Sequence, residues 1–403
     1  MKRPLEGVRV LDASTMIAAP TTAALLADYG ADVIKLEHPQ NGDHGRRYGA
    51  AKNGVGIYWK SLARNKRSVA LDLHDEEIVA LVLRWLHRFD VFIENFRPGT
   101  LERWGLGPDV LLAAAPHLIV LRITAFGQAG PYRDYPGFGT LCEAMSGFPS
   151  MNGWDDRPPL LPPLALADMM AGFLGASAVC AALVRARETR QGDVIDLAIY
   201  EAMLKLVETN LMEYDQLGVQ PRRLGNRTEN TAPRGAYLCR DGAWMALSGS
   251  AQPIAERILR AVGGEQLVHD PRFATNEDRL EHGDELDALI SAWALLRDRD
   301  DAVAELRGFG AAAGPLETIA SAFRNPQIVA RGSMTRVDDP TLGSLHMVDA
   351  IPRFERSSRA PIVPGPTEIG AHTRQVLGDE LGLDDDALRA LAKRGAIRLG
   401  DGD

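Results

Sequence analysis

The sequence predicts a layered α/β protein followed by a smaller α+β unit, and three observations predict it. Short apolar runs alternate with helical patterns through the first part of the chain. The pattern changes after about Glu188, and a polar, weakly periodic stretch at 218–233 divides the remainder of the chain. With 403 residues, 45% hydrophobic and 25% charged, the chain is long enough for one large core or two to three globular domains.

Taken in order, residues 8–12 are a short apolar run, 21–28 read as helix ending before Gly30, and 32–37 are again β-rich. Residues 68–73 are strand-like. Over 76–87, Ile78, Val79, Leu81, Val82, Trp85 and Leu86 fall on one helical stripe. Residues 91–94 and 118–124 read as buried strands. Strand, helix, strand order with short apolar strands argues for a parallel sheet with covering helices and right-handed crossovers. Further on, 194–200 read as a strand and 201–217 as one long amphipathic helix. The stretch 218–233, with Arg222, Arg223 and Arg227, reads as a linker or extended arm. Arg240-Asp241-Gly242 signals a hairpin between strand-like flanks, and mostly helical patterns continue to about Asn325. Residues 379–394 read as one helix, acidic early and basic at Arg394, as the helix dipole prefers.

Composition excludes several classes. A net charge of −9 argues against a nucleic-acid partner. Three scattered cysteines, Cys142, Cys180 and Cys239, make neither a disulfide framework nor a zinc site, and suit a reducing cytoplasm. Residues 1–14 lack the apolar core of a signal peptide. The apolar stretch 169–184 is too short to span a bilayer comfortably, so no membrane association is expected. Walker A, G-x-S-x-G and H-E-x-x-H patterns are absent, and the nine histidines show no metal-ligand spacing, so no metal is expected. Pro136-Gly137-Phe138-Gly139 is only part of a dinucleotide fingerprint. Residues 127–132, GQAGPY, follow a predicted strand, where α/β proteins bind ligands, yet a tight turn with positive φ explains their glycines more simply. Residue patterns alone reach a cytoplasmic α/β enzyme.

Seven blocks carry more: VLDASTMIAAPTTAALLADYGADVIKLEHPQNGDHGR (10–46), NKRSVALDL (65–73), DVFIENFRPGTLERWGLG (90–107), TAFGQAGPYRDYPGFGTLCEAMSG (124–147), ADMMAGFLGASAVCAAL (167–183), GDVIDLAIYEAM (192–203) and DGAW (241–244). In this order they resemble the class III CoA-transferases, a family that includes formyl-CoA:oxalate and carnitine-type transferases and, more distantly, α-methylacyl-CoA racemases. The resemblance implies an interlocked, ring-like homodimer with a Rossmann-like large domain and a smaller α+β domain. It places the large CoA-binding domain at 1–200, a helix and linker at 201–233, the small domain at 234–325, and a return linker with the C-terminal part of the large domain at 326–403. No cofactor is held permanently; coenzyme A and acyl-CoA are substrates, with a carboxylic acid as acceptor.

Asp168 opens an apolar helical run, and by pattern alone reads as an N-cap. The resemblance makes it the nucleophile, a carboxylate that passes through a mixed anhydride to an aspartyl-CoA thioester and so conserves thioester energy. By the same resemblance Ile17, Ala18, Leu71, Asn95, Phe96, Arg97 and Arg103 contact CoA, the two arginines being suited to its phosphates. His38 and His74 stand where some members have a basic residue. Gly139 stands where many have an acidic one, and Ser248-Gly249-Ser250-Ala251-Gln252 replaces a glycine-rich lid. Gly172 and Gly175 suggest close helix packing, expected at the dimer interface. Arg46, Arg47, Tyr48 and Tyr132 are candidates to face the acyl group. A racemase-like isomerase would need a histidine base from 125–147, where there is none. A non-catalytic CoA-binding homologue would not need Asp168.

Overall fold

The computed structural model describes residues 1–400 and divides into two compact units. The first comprises Met1–Gly147, Pro162–Glu208 and the chain from Gly332 onward; the second comprises Phe148–Leu161 and Thr209–Arg331. Residues 148–161 therefore pack with the second unit, although the sequence reading put them in the large domain.

The first unit is built on a seven-stranded sheet. Its strands are β1 (Arg9–Asp12), β2 (Asp32–Glu37), β3 (Lys66–Leu71), β4 (Val91–Glu94), β5 (Ile119–Thr124) and β6 (Asp193–Ala198), closed by a short edge strand, Ile397–Arg398. From that edge the order is β3-β2-β1-β4-β5-β6, all parallel, and only the edge strand runs antiparallel to its neighbour β3. This is the doubly wound order, reversing between β1 and β4. Every residue of β4 and β5 is buried, as both-face coverage of a parallel sheet requires. One face carries the large core, including Trp85, Phe89, Phe92, Leu111 and Val120.

The other face carries α1 (Ala18–Asp28) and the 24-residue α5 (Leu166–Thr189), numbered after α2 (Ile57–Leu62), α3 (Glu76–Trp85) and α4 (Gly139–Met145). The two helices touch through glycine. A Cβ at Gly172 would lie 2.7 Å from Thr21 and 2.9 Å from the Ala18 carbonyl, and one at Gly175 would lie 2.6 Å from Thr22 Oγ1. Thr22 Oγ1 donates to the Gly172 carbonyl at 2.9 Å. These glycines thus serve packing within one chain, and not the dimer interface expected for them. Helix α5 also exceeds the predicted 169–184: by length and composition alone it is long enough to cross a membrane, with 39% of its most apolar window buried inside the fold.

Two further boundaries differ. The helix predicted over 201–217 is two, α6 (Ile199–Leu206) and α7 (Glu208–Leu217), and the one predicted over 379–394 is also two, Thr373–Leu381 and Asp385–Lys393, parted by Gly382 in the left-handed conformation. A residue with φ of 68° ends a helix without strain only when it lacks a Cβ.

The second unit pairs a three-stranded antiparallel sheet with helices. The predicted hairpin forms from β7 (Arg234–Leu238) and β8 (Trp244–Ser248), with β9 (Ala313–Pro315) on the other side of β8. Its core includes Tyr237, Met245, Phe273 and Trp293. The expected linker 218–233 has little regular structure but is fastened: Arg223 N donates to Asp155 Oδ1 at 2.9 Å, and Gly225 N to the Gly153 carbonyl at 2.6 Å.

Candidate active site

In doubly wound sheets ligands bind outside the carboxyl ends of the strands where the order reverses. Here that point lies between the loops after β1 and β4. The first loop, Ala13–Ile17, is pinned from three sides. Asp12 Oδ1 accepts from Ser14 N at 3.1 Å and Ser14 Oγ at 2.5 Å. Met16 N donates to Asp43 Oδ1 at 3.1 Å, and Asn95 exchanges two 2.7 Å hydrogen bonds with the backbone of Thr15. Beneath them Lys66 pairs with Asp12 at 2.8 Å and Lys35 with Asp43 at 3.0 Å, all four side chains at most 1% exposed. Burial alone would push the Asp12 carboxyl up, but Lys66 and Lys35 together hold it below its ordinary range. This framework holds Met16 at a φ of 68°, a conformation rare outside glycine and stored where a site needs an over-determined backbone.

A cavity of about 220 Å³ opens beside this loop. Ile17, Ala18, Asn95, Phe96 and Arg97 line it, and so does Asp168. Five residues expected to touch CoA thus share a wall system with the expected nucleophile. A second cavity, about 210 Å³, is lined by Leu71, His38, His74 and Trp104, and Thr15 and Phe96 line both. Arg103 lines neither: it is exposed and donates to Thr100 Oγ1 at 2.9 Å. Although the histidines have no ligand spacing in sequence, the fold brings donor atoms of His38, Asp72 and His74 within 4.8 Å of one another. One nitrogen of each ring is already engaged, His74 Nδ1 with Asp72 at 2.8 Å and His38 Nδ1 with the amides of Gln40 and Asn41.

Asp168 does not cap its helix. Helix α5 begins at Leu166 with Ala165 in the capping position, which leaves Asp168 third in the first turn. The capping acceptor comes from α4: Ala167 N donates to Glu143 Oε1 at 3.1 Å. Glu143 itself is 2% exposed. Burial and then the neighbouring Glu143 raise the Asp168 pKa to about 6. Gly139, first residue of α4, presses on the same carboxylate, for a Cβ there would sit 2.3 Å from Asp168 Oδ2. Tyr58 also feels Asp168: burial, then Tyr48 and Asp168, push its phenol up. Tyr48 and Tyr58 meet edge to face at 5.2 Å.

Among the residues proposed to face an acyl group, Arg46 is committed elsewhere. It forms two hydrogen bonds with Glu37, at 2.6 and 2.7 Å, and lies over Trp59. Tyr132 stacks on Tyr135, and it is Arg133 and Tyr135 that line the Asp168 cavity. Glu143, Tyr58 and Arg133 were missed in the sequence. A lone acid in the apolar run Leu141–Met145 was the available signal for Glu143; nothing in spacing marks the other two.

The model of the family described as "CoA-transferase family III" matches residues 5–373. The chain belongs to CoA-transferase family III. Relatives match this family III enzyme along nearly its full length. The succinyl-CoA–D-citramalate CoA-transferase of Chloroflexus aurantiacus is 41% identical over 97% of this chain and 98% of its own. The succinate–glutarate CoA-transferase of Agrobacterium fabrum is 33% identical over 94% and 96%. Among solved structures, a CAIB/BAIF family protein from Brucella suis matches with a TM-score of 0.83 and 32% identity, over 94% of this chain and all of that one. The family III chain is an enzyme, a CoA-transferase.

Proposed function

We propose that this chain transfers CoA from succinyl-CoA to a dicarboxylic acid, with Asp168 as nucleophile. One observation carries the mechanism: a half-buried carboxylate facing the cavity formed by the Thr15–Ala18 and Asn95–Pro98 loops. An Asp168 oxygen attacks the thioester carbonyl, the C–S bond breaks, and CoA leaves as thiolate. The thiolate then attacks the Asp168 side-chain carbonyl of the mixed anhydride and expels succinate, leaving an aspartyl-CoA thioester. The acceptor carboxylate repeats the two steps in reverse. The first turn of α5 puts the positive end of a helix dipole where oxyanions develop. Arg97 and Arg133, on the same cavity, suit the second carboxylate of a diacid. The relatives' names support the donor and the acceptor class.

The nucleotide end of CoA would rest toward the second cavity, which Leu71 lines and beside which the exposed Arg103 precedes Trp104 in the chain. We further assign the enzyme to the cytoplasm, to an interlocked homodimer, and to the 1–200, 201–233, 234–325 and 326–403 domain plan with residues 148–161 moved to the small domain. The uncovered apolar side chains of α7 (Leu211, Met212, Tyr214 and Leu217) support a second copy.

Trapping tests the nucleophile. After incubation with succinyl-CoA, borohydride or hydroxylamine should modify Asp168 in the wild type, as peptide mass spectrometry would read. Asp168→Asn should lose the modification and at least roughly 10³-fold of the transfer rate. An unmodified wild-type Asp168 in an active enzyme would sink this mechanism.

A further inference from the structure

Helix α4 grips the first turn of α5 at two points. Gly139 lies against the Asp168 carboxylate, and one turn later Glu143 accepts the amide hydrogen of Ala167, the residue just before Asp168. Helix α5 has no side-chain cap of its own. The place of Asp168 is therefore set by a side chain from another helix. An amide donor needs only a neutral acceptor, and a glutamine oxygen would serve. A buried carboxylate beside a second carboxylate is an unfavourable way to fill that role, because desolvation and like charge both oppose it.

We propose that Glu143 is a positioning residue for CoA transfer, holding the first turn of α5 in register and, as a second carboxylate, making Asp168 a stronger nucleophile. The inference rests on the reading of Asp168 as that nucleophile. Repulsion between the two carboxylates destabilises ionised Asp168, and is relieved when its oxygen becomes part of a neutral anhydride and the charge departs on the CoA thiolate. The other titratable groups around the pair do not compete between pH 5 and 8. Burial, then Asp168 and Glu143, push the Cys142 thiol of α4 up to about 12. Tyr58 of α2 and Tyr200 of α6, whose backbone amide faces Cys142, are both raised. Arg97 and Arg133 also line the cavity wall. Titration in this window thus belongs to Asp168, which burial and then the neighbouring Glu143 raise to about 6.

The test is exchange of labelled succinate into succinyl-CoA by the full-length protein, measured against pH. Glu143→Gln keeps the acceptor for Ala167 and removes the charge. The acidic limb of kcat should move down by at least about half a pH unit, and kcat at pH 7 should fall roughly three- to tenfold while KM stays within about twofold. A wild-type limb and wild-type kcat in this variant would overturn the proposal. Should it fail to fold, Glu143→Asp decides: the charge stays but the reach is lost, so kcat should fall with the limb unmoved, and an unchanged kcat overturns the idea. Wild type without any exchange, or Asp168→Asn with full exchange, would refute the underlying function instead.

Discussion

At Gly139 the absence of a side chain is itself a design element. Its φ is ordinary, so no turn requires glycine there; the requirement is the 2.3 Å that would separate a Cβ from Asp168 Oδ2. Gly139→Ala must displace the carboxylate, and a shift of about 1 Å at a reacting group costs roughly 10²-fold in rate. We expect kcat to drop by about that factor, with KM for the CoA donor and the circular dichroism spectrum little changed. Wild-type kcat in this variant would mean that Asp168 has room the contact denies. The pH dependence belongs to this scale too. With the Asp168 pKa near 6, transfer should decline as the medium is acidified through that value, because protonation removes the attacking lone-pair charge. Asp168 was legible in the sequence as a helix-opening acid and, through resemblance, as a nucleophile. Its elevated pKa was not legible, since it comes first from burial and then from Glu143, 25 residues away, which reaches it through the packing of α4 on α5.

Among the elements, the loop from β1 to α1 depends on a buried charge network. Lys66 Nζ reaches Asp12 Oδ2 and the Pro20 carbonyl, both at 2.8 Å, and so joins β3, β1 and α1 beneath the cavity. Removing one partner of a buried pair strands the other charge, typically at about 3–5 kcal/mol. Lys66→Met should lower the unfolding free energy by that order in urea titration, and adding Asp12→Leu should recover a large part. A loss below about 1 kcal/mol for the single variant would show that Asp12 finds water or protonates freely. The strands here followed from short apolar runs, buried on both faces, and the helices from apolar residues repeating at 3.6. The breaks at Val207 and Gly382 did not. Asn95, expected on CoA, is also the clamp of the Thr15 backbone, a contact across 80 residues that spacing cannot encode.

At the scale of the whole molecule, one copy leaves the apolar side chains of one helix uncovered. Helix α7 buries none of its residues, and Leu217 is 71% exposed. Exposed apolar rows of this kind mark association surfaces. Sedimentation at micromolar concentration should give twice the chain's mass, and Leu211→Glu with Met212→Glu should shift it toward the single-chain mass with the fold intact. A wild-type monomer would remove the dimer from the proposed function. The charge of −9, by contrast, already spoke against a nucleic-acid partner without any structure.

By itself the sequence determined the α/β class, most strands of the sheet and, through ordered blocks, the family. Those properties are local or cumulative: side-chain periodicity acts within a few residues, and family blocks add along the chain. Only the tertiary structure decided that the sheet order reverses between β1 and β4, that Gly172 and Gly175 seat α1, and that Asp168 lies between Gly139 and Glu143. Each of these joins residues distant in sequence, and their free energies exist only once burial has removed the water between them.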